Sequence, residues 1–415
     1  MANNYDISRQ VDQLYRQHAG QLTAACSSYF GMINLAMAED VVQDTFVAAL
    51  SSWNKKGIPN DPKSWLYKVC KNKSLNLVAK RGTSTSHQSD SSEVLEIDQF
   101  FLDHEIQDQQ LRWLFATAIP SFSPRMRMIF MLKAVHGIRI REIASLLLLT
   151  ESSVQKMYER AKIQINADLK NTSVPDLNQS KERLPSVINS LYLIYTVNYN
   201  KPWQADSGQD LCYDALELTK SLLSKPIYRT PSLYALYSLM LFQTARLLAR
   251  ISPDGVFLDL EQQERTLWNK ELIHLGITQL NKSQTQESLS KYHLEATIAS
   301  LHCTAQSWPE TPWTQILKLY FRLVKIAPSP FVKLNLSIAL LYAEGHTIAL
   351  EYLEDNHFSV FNQNYQYHAT LSRIYEAGAN LSKACYHLDL ALRYAQEQPV
   401  KSYLQQRLDT LKLKH

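Results

Sequence analysis

The chain has 415 residues, of which 45% are hydrophobic and 20% charged, and a net charge of +4. That length suits two or three domains with buried cores, and the balance of residues excludes a disordered or fibrous chain. No apolar run reaches the roughly 18 residues that a membrane span needs; the longest contender, 233–249, is interrupted by Gln243, Thr244 and Arg246 and predicts a buried helix instead.

In chain order, residues 5–81 have helical spacing. Val42, Phe46, Ala49, Leu50 and Trp53 share one face. The stretch KKGIPNDPKS carries a Gly and two prolines and predicts a loop. A second helix is expected from about Ser64 to Lys80, with Asp61-Pro62 suited to its start, since Asp caps and Pro is tolerated in a first turn. Trp65, Leu66, Val69 and Leu75 or Leu77 form its apolar set. Residues 82–105 begin with the Ser/Thr/Asp/Glu-rich run GTSTSHQSDSSEVLEID, which offers little to bury and predicts a flexible acidic connector. Helical pattern returns over 106–170, with breaks at Pro120, Pro124 and His136-Gly137. A short polar linker follows at 171–180, and a large helical region occupies 181–415.

Charge follows these divisions. Residues 1–81 hold ten Lys/Arg against six Asp/Glu, and 111–170 hold ten against four, whereas 82–110 hold seven acidic residues and no basic one. Two small basic modules around an acidic connector suit a nucleic-acid partner, although a solvated basic face gives the same count.

The most specific pattern is IRIREIASLLLLTESSVQKMYERAK, from Ile138 to Lys162. Ile140, Ile143, Ala144 and Leu147 form an apolar face. Thr150 is placed to cap a second helix, whose inner face is Val154, Met157 and Ala161. Its outer face is Ser152, Ser153, Gln155, Lys156, Glu159, Arg160 and Lys162, short polar and basic groups suited to base edges and phosphates. This is a helix-turn-helix pattern with Leu148-Leu149 where a Gly usually helps the turn.

Together these runs resemble extracytoplasmic-function (ECF) sigma factors. Pro124, Arg125, Glu142, Ile143, Ala144, Thr150, Val154, Arg160 and Ala161 match the family's promoter-reading C-terminal module. The resemblance implies that Arg125 and the outer-face residues, with Thr150, read the upstream (−35) box. AEDVVQDTFVAAL resembles the family's polymerase-binding helix, which implies contact through Asp40, Val41, Gln43, Asp44 and Phe46. DPKSWLYKVCKNKSLNLVAKR resembles the downstream (−10) reader and implies DNA contact through Lys68, Lys71, Asn72, Lys73, Asn76, Lys80 and Arg81. The loop at Lys55 to Asp61 is where the family places a flipped-base pocket. Trp53 and Trp65 read as core rather than as stacking platforms. The acidic connector, with Asp90, Glu93, Glu96 and Asp98, is expected to pass through basic polymerase channels.

Within 181–415, ATLSRIYEAGANLSKACYHLDLALRYAQEQP matches tetratricopeptide (TPR) positions at Leu371, Tyr375, Ala384, Leu388 and Ala391; Gly378 stands one residue early, and Ser372 and Gln396 replace the usual Gly and Pro. A weaker relative spans 334–356. The order of pieces resembles a sigma-factor group with a large TPR-like C-terminal domain, which could hold a regulatory protein or contact the DNA modules intramolecularly. The tyrosines Tyr192, Tyr195, Tyr199, Tyr213, Tyr234 and Tyr237 line a groove or form core and rim, and the second reading is favoured.

The expected architecture is therefore all-α: a region 2 module (1–81), an acidic linker (82–105), a region 4 helix-turn-helix module (106–170), a linker (171–180) and a TPR-like domain (181–415). Expected partners are core RNA polymerase and promoter DNA, with no membrane. MANNYDISRQ has neither the basic nor the apolar part of a secretory signal. Cys26, Cys70, Cys212, Cys303 and Cys385 lie far apart without CxxC spacing, which predicts reduced thiols in a cytoplasmic protein. P-loop, GxSxG and HExxH motifs are absent and His293 with His302 lacks ligand spacing, so no enzyme, metal or cofactor is expected. The alternative is a helical-repeat adaptor with a DNA-binding module.

Overall fold

The computed structural model describes residues 2–30, 34–82, 103–118, 122–147, 149–171, 177–200, 208–286, 289–355 and 362–414. These fall into two compact units, one within residues 1–228 and the other within 229–415. The protein is all-α; among the described residues the only extended pairing is an isolated bridge between Ile251 and Phe257.

The first unit begins with α1 (Ala2–Phe30), α2 (Leu35–Lys56) and α3 (Pro62–Gly82). Val41, Val42, Phe46, Ala49 and Trp53 of α2 pack on Leu22 and Cys26 of α1 and on Leu66 and Cys70 of α3. Trp53 is buried and meets half-buried Trp65 edge-on at 5.3 Å, so the tryptophans serve the core as expected. Gly57 ends α2 at φ +79°, donating its N–H to the Trp53 carbonyl at 2.9 Å. Asp61 starts α3: Ser64 donates its N–H at 3.0 Å and its hydroxyl at 2.6 Å to that carboxylate. The hydroxyl bond, then the N–H, holds the Asp61 carboxyl below its ordinary range. The helix thus starts at Pro62, two residues ahead of its expected position.

The next elements are α4 (Asp103–Thr117), α5 (Pro124–Phe130) running on as a π-helical turn (Met131–Val135), α6 (Ile140–Leu147) and α7 (Glu151–Asn171). Ser123 caps α5 ahead of Pro124. The π turn ends at Gly137, φ +64°, with Gly137 N–H donating to the Lys133 carbonyl and Ile138 N–H to that of Leu132. A positive φ there is what Gly permits. The connector 83–102, including Asp90, Glu93, Glu96 and Asp98, lies outside the described residues.

Helices α8 (Leu177–Tyr199) and α9 (Gly208–Ser224) complete this unit. Helix α8 already begins within the stretch 171–180 that reads as a linker. Arg183 on α8 donates to the Phe115 carbonyl at 3.0 Å, Arg127 on α5 to Ser186 at 2.5 Å, and Phe115 stacks on Tyr228 at 4.9 Å.

The second unit runs through α10 (Pro231–Thr244), α11 (Lys270–Lys282), α12 (Lys291–Thr304), α13 (Trp313–Ile326), α14 (Pro330–Ala343), α15 (His346–Asp355), α16 (Tyr365–Ala377), α17 (Leu381–Tyr394) and α18 (Gln398–Lys414). Helix α10 is buried on nearly every face, as its apolar run implies, and stops at Thr244. Prolines mark helix starts: Thr230 caps α10 before Pro231, and Ser329 caps α14 before Pro330. Among the described residues no helix is long and apolar enough to cross a membrane. The pair α16–α17 buries Leu371, Ala384, Leu388 and Ala391. Ser372 is fully buried too, so a small side chain is what that position requires. Of the singled-out tyrosines, Tyr195 and Tyr237 are buried, Tyr213 is exposed and the rest are half-buried where described, a core-and-rim pattern.

Candidate DNA and polymerase interfaces

On α2, the 3.6-residue repeat sends Val41, Val42, Phe46 and Ala49 inward and leaves Asp40, Gln43 and Asp44 exposed as one polar stripe. Val41 and Phe46 were expected among the contact residues; both are 5% exposed. They hold the stripe from beneath and present no surface, a correction that follows from the helix period. Phe46 also receives the edge of Tyr15 at 4.9 Å.

On α3, Lys68, Asn72 and Asn76 are exposed and Lys71 and Lys73 half-buried. These residues form a basic, amide-bearing face opposite buried Leu66, Cys70 and Ser74. Lys80 and Arg81 lie in α3, but their side chains are outside the described set. The loop from Lys55 to Asp61 is exposed or half-exposed throughout.

In the helix-turn-helix, Ile143 and Ala144 of α6 and Val154, Tyr158, Ala161 and Ile165 of α7 are buried. Met157 is only half-buried, and Tyr158, which the sequence pattern passed over, takes the inner position. The turn closes without Gly: Leu149 N–H donates to the Ala144 carbonyl at 2.9 Å. Thr150 accepts the Ser153 N–H at 3.3 Å, the expected cap. Ser152, Gln155, Lys156, Glu159 and Arg160 are exposed together, whereas Ser153 and Lys162 are half-buried. Gln155 donates to Glu159 at 2.8 Å. Arg125 is exposed on α5, away from α7 in sequence.

The two modules touch. Along α1 the residues Ala19 to Ser27 are buried almost without interruption. Leu22 and Cys26 face α2 and α3, while Gly20 abuts the end of the π turn. A Cβ on Gly20 would lie 2.8 Å from the His136 Cα and closer still to the Val135 carbonyl oxygen; one on Gly137 would lie 2.8 Å from the Gly20 nitrogen. Around this backbone contact, Arg16 pairs with Glu142 at 3.4 Å and Arg139 pairs with Asp12. Arg139 also sits over the Tyr15 ring at 5.6 Å. On the far side, the Tyr158 hydroxyl donates to the Glu39 carboxylate, and Lys162 reaches the same carboxylate at 3.5 Å. Burial, then the Glu39 charge, pushes the Tyr158 phenol well above its ordinary range. His136 is wholly buried, and burial pulls its pKa down to about 3. The sequence signal for this contact was the run of small residues Ala19-Gly20 and Thr23-Ala24-Ala25, which leaves a second face of α1 open to close approach.

Among the described residues, no group of three or more His, Cys, Asp or Glu side chains is placed to hold a metal ion.

Three segments of the chain match known families. Residues 14–83 match sigma-70 region 2, residues 112–165 match sigma-70 region 4, and residues 183–284 match a family of unknown function (DUF6596). The chain is also similar to an uncharacterized protein of Rhizobium meliloti (strain 1021), 28% identical over 398 residues, covering 94% of this chain and 93% of that protein. No solved structure matches.

An all-α chain in which a region 2 module is followed by a capped region 4 helix-turn-helix is a sigma-70-type, DNA-binding transcription-initiation protein. More narrowly, it is an ECF-like sigma factor with a long helical C-terminal extension. Sigma-70 domains are non-enzymatic regulators, and they imply core RNA polymerase and promoter DNA as partners.

Proposed function

We propose that this protein binds core RNA polymerase through the Asp40, Gln43 and Asp44 stripe of α2 and directs it to specific promoters. Lys68, Lys71, Asn72, Lys73 and Asn76 of α3, continued by Lys80 and Arg81, read the −10 box. Arg125 and the outer face of α7 read the −35 box. The acidic connector threads the polymerase channels, and the extension, TPR-like in its last repeats, modulates initiation in the cytoplasm. The observation that carries this reading is the helix-turn-helix, capped at Thr150, with Ile143, Ala144, Val154 and Ala161 buried and Ser152, Gln155, Lys156, Glu159 and Arg160 exposed together. Short polar side chains on an exposed second helix suit a major groove, and lysine and arginine suit phosphates.

The test is reconstitution. Purified full-length protein is mixed with purified core polymerase, and transcription is mapped on genomic fragments. Discrete start sites that vanish without the protein are expected. No binding to core polymerase, together with tight binding to another protein, sinks this reading in favour of an adaptor.

A further inference from the structure

We propose that the second unit carries an oxyanion-binding site formed by Arg246, Arg265, Trp268 and His302, which takes the carboxylate or phosphate group of a small molecule. The inference goes beyond the promoter-directing role and does not depend on it. It gives the extension a chemical input separate from polymerase and DNA.

The observation behind it is a concentration of buried polar atoms that find no hydrogen-bond partner. Among the described residues, Arg265 Nη2, Trp268 Nε1 and His302 Nδ1 are all of this kind. Trp268 is 3% exposed and His302 8%, so bulk solvent does not serve them. The three atoms belong to residues in direct contact. The Arg265 guanidinium lies over the Trp268 ring, 4.8 Å from its centre. Its Nη1 donates to the His302 carbonyl at 2.7 Å and to the Ala305 carbonyl at 2.5 Å, which leaves Nη2 over. Buried polar groups are normally satisfied, and several left over together call for a ligand or ordered water to complete them.

Charge selects the ligand. Arg246 is itself buried and stands over the same Trp268 ring at 5.9 Å, so two guanidiniums share one indole. Burial first, with the charge of Arg246 behind it, pulls the Arg265 guanidinium below its ordinary range, although Cys303 and Glu310 oppose this. Carboxylates nearby in sequence are engaged elsewhere. Asp259 and Glu261 pair with Arg373, and Glu264 accepts from the Thr266 hydroxyl. An oxyanion accepts from a guanidinium, an indole N–H and an imidazole N–H together, and its charge offsets that of the two arginines. His302 is held neutral by its burial, and a neutral ring can carry its proton on Nδ1. Arg265 is half-buried, so the site meets solvent on its side.

The test is a thermal melt of the full chain at fixed ionic strength, with sodium chloride replaced stepwise by sodium phosphate or sodium acetate. A ligand that binds only the folded form raises the melting temperature with its concentration, and that dependence gives the affinity whatever the starting stability. Wild-type protein is expected to show the rise, and the anion with the larger rise names the ligand class. Trp268→Phe keeps an aromatic ring for both guanidiniums and removes the indole N–H. It is expected to bind the anion about tenfold more weakly, the loss of one hydrogen bond to a charged group. Arg265→Gln is expected to abolish the response. Arg322→Gln, at an exposed position on α13, is expected to leave it unchanged. If Arg265→Gln does not fold, Trp268→Phe decides the matter alone.

No response of the wild-type protein to either anion overturns the site and leaves ordered water to serve these groups. A response that Trp268→Phe leaves intact, or that Arg322→Gln removes, overturns it as well, since the anion then binds elsewhere. None of these readouts involves polymerase, so each leaves the promoter-directing role untouched.

Discussion

His302 shows how burial sets the behaviour of a single residue. Its ring stacks on Trp308 at 6.2 Å and meets the edge of Trp313 at 5.3 Å. Burial first, then the charges of Arg246 and Arg265, pull its pKa from 6.5 to about 3. The folded protein therefore holds His302 neutral where the unfolded chain would protonate it. This stability is fully present above pH 6.5 and is lost as pH falls from 6.5 toward 3. One extra proton on the unfolded chain makes the slope on the order of 1 kcal/mol per pH unit. His302→Gln is expected to flatten the acid limb of the urea-unfolding stability curve by about that amount. An unchanged slope would show that His302 is not the group responsible. Spacing in the sequence says only that His302 lacks a metal-ligand partner. Its enclosure comes from residues brought in by the loop before α13 and by α13 itself, and no local pattern carries that.

At the scale of one helix, α2 was legible because its period is regular. The run Val41, Val42, Phe46, Ala49, Trp53 fixes an inner face, and the acidic stripe falls opposite by geometry. Val41 and Phe46 were drawn into the candidate site because they flank the stripe in sequence, and sequence neighbours on a helix point in different directions. The two roles separate by mutation. Asp40→Lys with Asp44→Lys is expected to reduce core polymerase binding at least tenfold, while the melting temperature moves little, as exposed substitutions usually do. Phe46→Ala is expected to cost about 3–5 kcal/mol of stability through the cavity it leaves. Pull-down and thermal melts on the same preparations check both, and full polymerase binding by the double lysine variant would remove the stripe from the interface. Helix α1 was less legible. Its second buried face is made of Ala, Gly, Thr and Ser, which hydropathy scales score near neutral although they permit the closest backbone approach.

For the whole molecule, the sequence suggests a division in the polar stretch 171–180, whereas the first compact unit continues through α8 and α9 to Tyr228. Leu184, Val187, Ile188 and Leu191 of α8 are buried in that unit. A truncated chain ending at Tyr228 is expected to melt cooperatively. One ending at Ser180 is expected to lose several kcal/mol, since each fully buried large aliphatic side chain contributes about 1.5–3 kcal/mol. Equal melting temperatures would show that α8 and α9 do not support the modules. The same pair of chains, assayed for transcription, gives the sign of the extension's effect: higher activity for the chain ending at Tyr228 than for the full protein would make the remainder inhibitory, and lower activity would make it required.

The sequence by itself determined the all-α class, the two small modules ahead of a helical extension, the helix-turn-helix with its Thr150 cap, and the outward faces of α2, α3 and α7. These follow from periodicity and capping chemistry, which act over a few residues. Only the tertiary structure decided that the modules meet at Gly20 and Gly137, that Tyr158 and Lys162 share Glu39, and that α8 and α9 belong with the modules. Those contacts join residues from 59 to 193 positions apart, and the meeting of Gly20 with Gly137 depends on the space that missing side chains leave; neither property is written in a local pattern.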